Sequence, residues 1–115
     1  MQGGFDTFWE YTKNDIQVTL RQFSDELEPV APSCNSNSNG WVCTACVCTY
    51  RNKVVEAAMS KVDQALGIAK AQAATMFTVN LDKYIAAFHA DTVDPWKTAH
   101  SCSSPDNNVV SNDPK

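Results

Sequence analysis

Cysteine is the residue type best placed to do chemistry in this 115-residue sequence, because four of its five cysteines fall within fifteen positions. They are Cys34, Cys43, Cys46 and Cys48. Sulfur atoms at this density support three kinds of chemistry: structural disulfides, a thiolate site for zinc, or a redox-active pair. The cluster lies between two segments with helical patterning, so each alternative predicts that it closes the turn between two helices.

Structural disulfides are the preferred interpretation of the cluster. A cysteine-rich loop in a short chain is typical of an oxidising compartment. Cys46 and Cys48 are too close along the chain for an unstrained bond to each other. The spacing therefore predicts that Cys34 pairs with Cys46 or Cys48, and that Cys43 takes the other.

Two alternatives use the same sulfur atoms. Zinc accepts four thiolates, here Cys34, Cys43, Cys46 and Cys48, although the Cys46-x-Cys48 spacing is less typical of structural zinc sites. Cys43 and Cys46 also form a Cys-x-x-Cys pair near a predicted helix start, where thiol pKa values are lowered. The βαβ pattern that accompanies this motif in thioredoxin-like enzymes is missing. The sequence predicts no organic cofactor and, if the disulfides form, no metal.

The elements around the cluster are predicted to be helices. A first helix is expected over about 8–28, where Thr7 and Glu10 have the form of a capping box and prolines follow at 29 and 32. A cysteine-containing loop occupies 29–49. A long helix over about 50–91 completes a single helical domain, 1–93, and residues 94–115 are expected to form a mobile polar tail.

The long helix carries an apolar stripe with a 3.6-residue period. Its members are Val55, Met59, Val62, Leu66, Phe77, Leu81, Tyr84 and Phe88. No glycine or proline lies between Gly67 and Pro95, which favours an unbroken helix. Asn80 is the alternative start of a new helix. The fold class is therefore all-α: a disulfide-clipped helical hairpin with one long helix, or a three-helix bundle if that helix breaks near residues 78–80.

The state of the fifth cysteine, Cys102, depends on that choice. An unbroken helix of about 40 residues is roughly 60 Å long. The chain from Asp91 to Cys102 spans at most about 40 Å when fully extended. Cys102 would then be an exposed thiol available for an intermolecular disulfide, whereas a helix that turns back near 78–80 brings it to the cluster.

Composition narrows the possible partners and locations. The formal net charge of −4 and the lack of a basic patch predict no nucleic acid partner. No apolar run reaches the ~18–20 residues of a membrane span. Residues 5–28 hold six acidic and two basic side chains, so the first helix is acidic. The cysteines predict a secreted or periplasmic location, with this chain as the mature form.

The function expected from these features is interaction. The sequence predicts an exported, non-enzymatic interaction protein: an effector, a binding module, or a subunit of an extracellular or envelope assembly, acting on a protein partner or by self-association. One alternative is a thiol-disulfide oxidoreductase that uses Cys43 and Cys46. Another is a small carrier of an apolar ligand, held between helices by aromatic side chains such as Trp9, Phe23, Tyr84 and Phe88.

Overall fold

A computed structural model describes residues 2–37, 40–43 and 45–102, with the backbone alone at positions 2, 3, 31–33, 37, 45 and 46. The elements in chain order are α1 (Gln2–Leu27), a 3-10 helix (Glu28–Ser33), β1 (Cys34–Asn37), β2 (Gly40–Cys43), α2 (Ala45–Met76), α3 (Asp82–Phe88), a π-helical turn (His89–Val93) and α4 (Asp94–His100). Within these residues, no helix is both long and apolar enough to cross a bilayer.

The helices form an elongated bundle of three legs, each antiparallel to the one before it along the chain. The third leg, residues 82–100, is called here the return segment and consists of α3, the π turn and α4. It runs parallel to α1, because Tyr84 contacts Phe5 near the start of α1 and His100 contacts Ser24 near its end. The bundle measures 59 × 20 × 19 Å. The predicted disulfide-clipped helical fold is confirmed, with a small strand pair added.

The long helix breaks where the alternative prediction placed the break. α2 ends at Met76, and the residues that follow reverse the chain. Thr78 adopts a left-handed backbone conformation, with φ of 53°. Asn80 Oδ1 then accepts a hydrogen bond from the Asp82 amide at 2.9 Å and starts α3. The preferred prediction of one helix over about 50–91 is therefore wrong, because a single left-handed residue reverses the chain without glycine or proline.

Two predicted boundaries also differ from the structure. α1 begins at Gln2, so Thr7 and Glu10 lie inside the helix and do not form a capping box at its start. α2 begins at Ala45, and the predicted loop over 29–49 contains a 3-10 helix and a β-hairpin. In the hairpin, Cys34 lies opposite Cys43 and Gly40 has a φ of 129°, a conformation that glycine adopts at low cost.

The segment predicted as a tail from residue 94 continues the bundle as α4. Pro95 has no amide hydrogen, and in a regular α-helix its ring would clash with the carbonyl four residues earlier. The π turn just before it makes a wider loop, with the Asp94 amide bonded to the His89 carbonyl. In this π turn, about five residues complete one turn of the helix, compared with 3.6 in a regular α-helix. Phe88 and Val93 consequently face the core together.

The predicted stripe forms most of the core. Five of its members are buried: Val55, Val62, Leu66, Leu81 and Phe88. Met59 and Phe77 are partly buried against them. Tyr84 departs from the expectation, because its side chain is 43 % exposed at the edge of a cleft. The stripe thus determines the bundle packing, and Tyr84 packs against the rings of Phe5 and Trp9 while part of its side chain stays exposed.

Candidate functional site

Two disulfides join the hairpin, α2 and the residues just after α4 into what is called here the cystine end. Cys34 is bonded to Cys43, with Cα atoms 4.3 Å apart, and Cys48 is bonded to Cys102, with Cα atoms 5.5 Å apart. The predicted pairing of Cys34 with Cys46 or Cys48 is wrong, because the hairpin register places Cys34 opposite Cys43. The predicted intermolecular thiol at Cys102 is also wrong, because the reversed chain brings it to Cys48.

The structure gathers a different set of sulfur atoms from the one expected for zinc or redox chemistry. The Sγ atoms of Cys43, Cys48 and Cys102 all lie within 4.8 Å of one another. Cys43 is bonded to Cys34 and 4 % exposed, so it does not form a Cys-x-x-Cys disulfide with Cys46. The side chain of Cys46 lies outside the described residues.

Backbone and amide hydrogen bonds hold Cys102 in place. The Trp41 amide donates to the Ser101 carbonyl at 2.9 Å, and Trp41 and Cys102 form a parallel bridge. The Cys102 amide donates to Asn52 Oδ1 at 2.9 Å. The chain after α4 therefore docks on both the hairpin and α2, and this contact positions the second disulfide.

Arg51 is the one charged side chain among the described residues that is fully buried, with 1 % exposure. Its guanidinium carbon lies 4.0 Å from the centre of the Trp41 ring, and Nη1 donates to the His100 carbonyl at 3.4 Å. Nε has no hydrogen-bond partner among the described residues. Burial lowers the pKa of Arg51. An arginine remains charged under these conditions, so the cystine end contains a buried positive charge.

His100, Ser24 and Trp96 form a closed set of hydrogen bonds beside Arg51. His100 Nδ1 donates to the Trp96 carbonyl at 2.8 Å, and Ser24 Oγ accepts from Trp96 Nε1 and donates to His100 Nε2, both at 2.9 Å. Burial lowers the pKa of His100, the Trp96 carbonyl opposes that shift, and Arg51 adds to it. Both ring nitrogens of the neutral histidine are thus engaged in structural contacts. His100 was expected in a tail, and no sequence signal indicated this arrangement.

A cleft of about 420 Å³ lies at the other half of the molecule, between α1 and the return segment. The buried rings of Trp9 and Phe88 and the exposed edge of Tyr84 line it. Lys13 Nζ lies 2.9 Å from Glu10 Oε2 and 5.9 Å from the centre of the Trp9 ring. The cleft therefore combines aromatic walls with charges of both signs.

A second, more open groove of about 460 Å³ lies on the other side of the Glu10–Asn14 ridge of α1. Asp6 and Tyr11 line it, and Tyr11 is 69 % exposed. The two grooves together are called here the acidic-aromatic face. Their charged lining residues are Asp6, Glu10, Lys13 and Asp91. Three carboxylates against one ammonium give this face a negative charge.

The π turn contributes directly to the face. Asp91 and Thr92 lie within it and line the cleft. Such turns occur frequently at functional sites in α-helices. The sequence carried one sign of the turn, the five-residue gap between the apolar residues Phe88 and Val93. Sequence reasoning treated position 91 as the end of the helix and therefore missed Asp91 as a lining residue.

No family model, curated protein or solved structure matches this chain.

Proposed function

We propose that this protein is an exported, non-enzymatic binding module whose acidic-aromatic face binds a cationic segment of another protein. The observation that carries the proposal is the combination of exposed tyrosine rings, Tyr11 and Tyr84, with three carboxylates in two adjoining grooves. Tyrosine and tryptophan are enriched at protein interfaces, where they supply large contact areas at low entropy cost.

A cationic partner fits both components of the face. Arginine and lysine side chains bind to the faces of aromatic rings and form charge-assisted hydrogen bonds with carboxylates. Within the protein, Lys13 already makes both kinds of contact, because its ammonium lies over the Trp9 ring and beside the Glu10 carboxylate. The partner's arginine or lysine would make the same two contacts with Tyr84 and Asp91.

The alternatives receive less support from the same residues. Cys43 and Cys46 are not bonded to each other, so an oxidoreductase using that pair is not favoured. The cleft is lined in part by Glu10, Lys13 and Asp91. An apolar ligand would displace water from these charged groups without replacing the hydrogen bonds that the water makes. Self-association through this face would oppose like charges, which disfavours a second copy as the partner.

The disulfides support a secreted or periplasmic location. Such bonds persist in oxidising compartments and are rare in the cytosol. Mass spectrometry of the protein purified from its native source tests this part. A chain lighter by four hydrogens than its reduced form is expected from the two disulfides. A fully reduced chain would contradict the location.

A titration of the isotope-labelled protein with two peptides tests the binding face. We expect an arginine- and lysine-rich peptide to shift the amide signals of the lining residues, and a glutamate-rich peptide of equal length to leave them unchanged. Tyr84→Ala and Asp91→Asn should weaken binding about 10-fold each, which corresponds to about 1.4 kcal/mol.

Matched controls separate this face from general charge effects. Asp15→Asn removes a carboxylate from an exposed α1 position that lines neither groove, and Ile68→Ala trims an exposed side chain on α2. Both should bind like the unmodified protein. Equal shifts with both peptides, or equal weakening by the controls, would contradict the proposal. Light scattering that showed a dimer abolished by Tyr84→Ala would instead identify a second copy as the partner.

A further inference from the structure

Lys13 fills part of the cleft between α1 and the return segment. Its Nζ lies 2.9 Å from Glu10 Oε2 and 5.9 Å from the centre of the Trp9 ring, and all three residues line the cleft. Their spacing places them on one face of α1. The Trp9 ring is only 6 % exposed, and the Lys13 ammonium is one of the groups that cover it. A cation of the protein itself therefore occupies the place where this ring and this carboxylate meet, which is called here the Glu10 subsite.

The carboxylate on the opposite wall of the cleft has no such partner. Asp91 lines the cleft from the π turn and forms no ion pair within the described part of the chain. Lys13 therefore neutralises the α1 side of the cleft and leaves the π-turn side negative. Without a partner, the cleft presents one open anionic position at Asp91 and one that its own lysine closes.

The contact that closes the Glu10 subsite can be replaced. The Lys13 side chain is 29 % exposed and that of Glu10 is 72 % exposed, so water screens their attraction. A guanidinium can lie flat on the Trp9 ring and donate two parallel hydrogen bonds to the Glu10 carboxylate. An arginine of the partner would therefore improve on the contact that Lys13 makes, whereas a lysine would exchange one ammonium for another.

We propose that Lys13 is an internal competitor for the Glu10 subsite, and that an arginine of the partner displaces it into solvent. The inference rests on the proposed function, because it concerns the same acidic-aromatic face. The competition lowers the apparent affinity of the partner by the fraction of molecules in which the subsite is open. Lys13 thereby makes the cleft select arginine-rich segments over lysine-rich segments of equal charge.

Nuclear Overhauser contacts between the Lys13 side chain and the Trp9 ring test the occupancy directly. We expect such contacts from the ε-methylene protons of Lys13 in the protein alone, and their loss at saturation with an arginine-rich peptide. A lysine-rich peptide of equal length should bind about fivefold more weakly.

The outcomes separate this inference from the proposed function. If the contacts are missing in the protein alone, the inference is overturned whether or not a peptide binds. If both peptides bind equally well, or if the contacts persist at saturation with the arginine-rich peptide, the inference is overturned and the proposed function stands. Binding of neither peptide would overturn both.

Substitutions of Lys13 and Glu10 distinguish competition from general charge effects. Lys13→Gln should strengthen binding of the arginine-rich peptide about fivefold, because the ring and the carboxylate are both released. Lys83→Gln removes the same charge from an exposed position on α3 that lines neither groove, and should strengthen binding by less than about twofold. An equal gain from both variants would overturn the inference.

A double-mutant cycle completes the test. In the unmodified protein, Glu10→Gln should weaken binding by less than about twofold, because the lost contact is offset by the release of Lys13. In the Lys13→Gln background the same change should weaken binding about fivefold, because nothing offsets the loss. Additive effects of the two substitutions would show that Lys13 does not compete for Glu10, and would overturn the inference.

Discussion

The two ends of the bundle are held by different interactions. At the cystine end, two disulfides surround a buried arginine and a closed set of polar hydrogen bonds. At the opposite end, the rings of Phe5, Phe8, Phe77 and Tyr84 pack around the turn into α3, with centroids 5.2–5.8 Å apart. This second region is called here the aromatic end.

The difference follows from what each end buries. Apolar rings at the aromatic end gain free energy simply by leaving water, and their edge-to-face contacts add to it. The cystine end buries Arg51, whose desolvation is only partly offset by its contacts with Trp41 and His100. Covalent links therefore contribute where burial contributes least, and removing a link or a ring should increase local opening most at its own end.

The largest effect is expected from removing the Cys48–Cys102 bond. Its sequence separation is 54 residues, for which the chain-entropy relation gives about 4 kcal/mol. Cys48→Ala combined with Cys102→Ala should lower the free energy of unfolding by that amount in urea denaturation. Hydrogen exchange should accelerate more in α4 than in α3. Equal acceleration in both helices would show that the two ends are not independent.

Leu81→Ala should produce the next largest loss, about 3 kcal/mol, because Leu81 is fully buried beneath the turn at the aromatic end. The matched control is Met76→Ala, whose side chain is 63 % exposed and which should change stability by less than about 0.5 kcal/mol. The loss should be the same in the protein with and without the Cys48–Cys102 bond. Non-additivity would indicate coupling between the ends.

Removing the Cys34–Cys43 bond should cost about 2.5 kcal/mol, because it closes a separation of only nine residues. Cys34→Ala with Cys43→Ala tests this by thermal and urea unfolding. The bond joins neighbouring hairpin strands, so hydrogen exchange should accelerate more in the hairpin than in α3 and α4. A loss exceeding that of the Cys48–Cys102 variant would contradict the chain-entropy explanation.

Thr78→Gly should stabilise the protein by about 1 kcal/mol. Thr78 is β-branched and has a φ of 53°, a conformation that glycine adopts without strain. The control Ala71→Gly introduces the same residue at an exposed position inside α2 and should destabilise by about 1 kcal/mol. Destabilisation by both variants would show that the turn stores no strain at Thr78.

The smallest effect expected is a pH dependence at the cystine end. The pKa of His100 is lowered on folding, so below the unfolded value of about 6.5 the unfolded chain binds more protons than the folded one. The free energy of unfolding should therefore fall as pH decreases from about 7 to 5. His100→Gln should remove this part of the dependence and His89→Gln should retain it. An unchanged pH profile in His100→Gln would contradict the assignment.

The local features of this protein can be predicted from its amino-acid sequence alone. Helical periodicity predicted α1, α2 and most of the buried stripe, because each depends on side chains within a few turns of one another. The clustered cysteines predicted that disulfides clip the turn after the first helix. Asn80 indicated where α3 begins. Each of these signals involves residues that are close together in the sequence, so it can be recognised from one sequence.

The disulfide pairing and the residues of the candidate site depend on the tertiary structure. Cys102 pairs with Cys48 because the chain reverses at Thr78, which has a left-handed backbone conformation. No glycine or proline in the sequence indicates that reversal. The burial of Val93 and the partial burial of Trp96 and His100 depended on a π turn that shifts the apolar period by one residue. Cys48 and Cys102 are 54 positions apart, so their contact depends on the path of the whole chain between them. A single chain reversal, or one extra residue in a helical turn, changes the direction of all later elements.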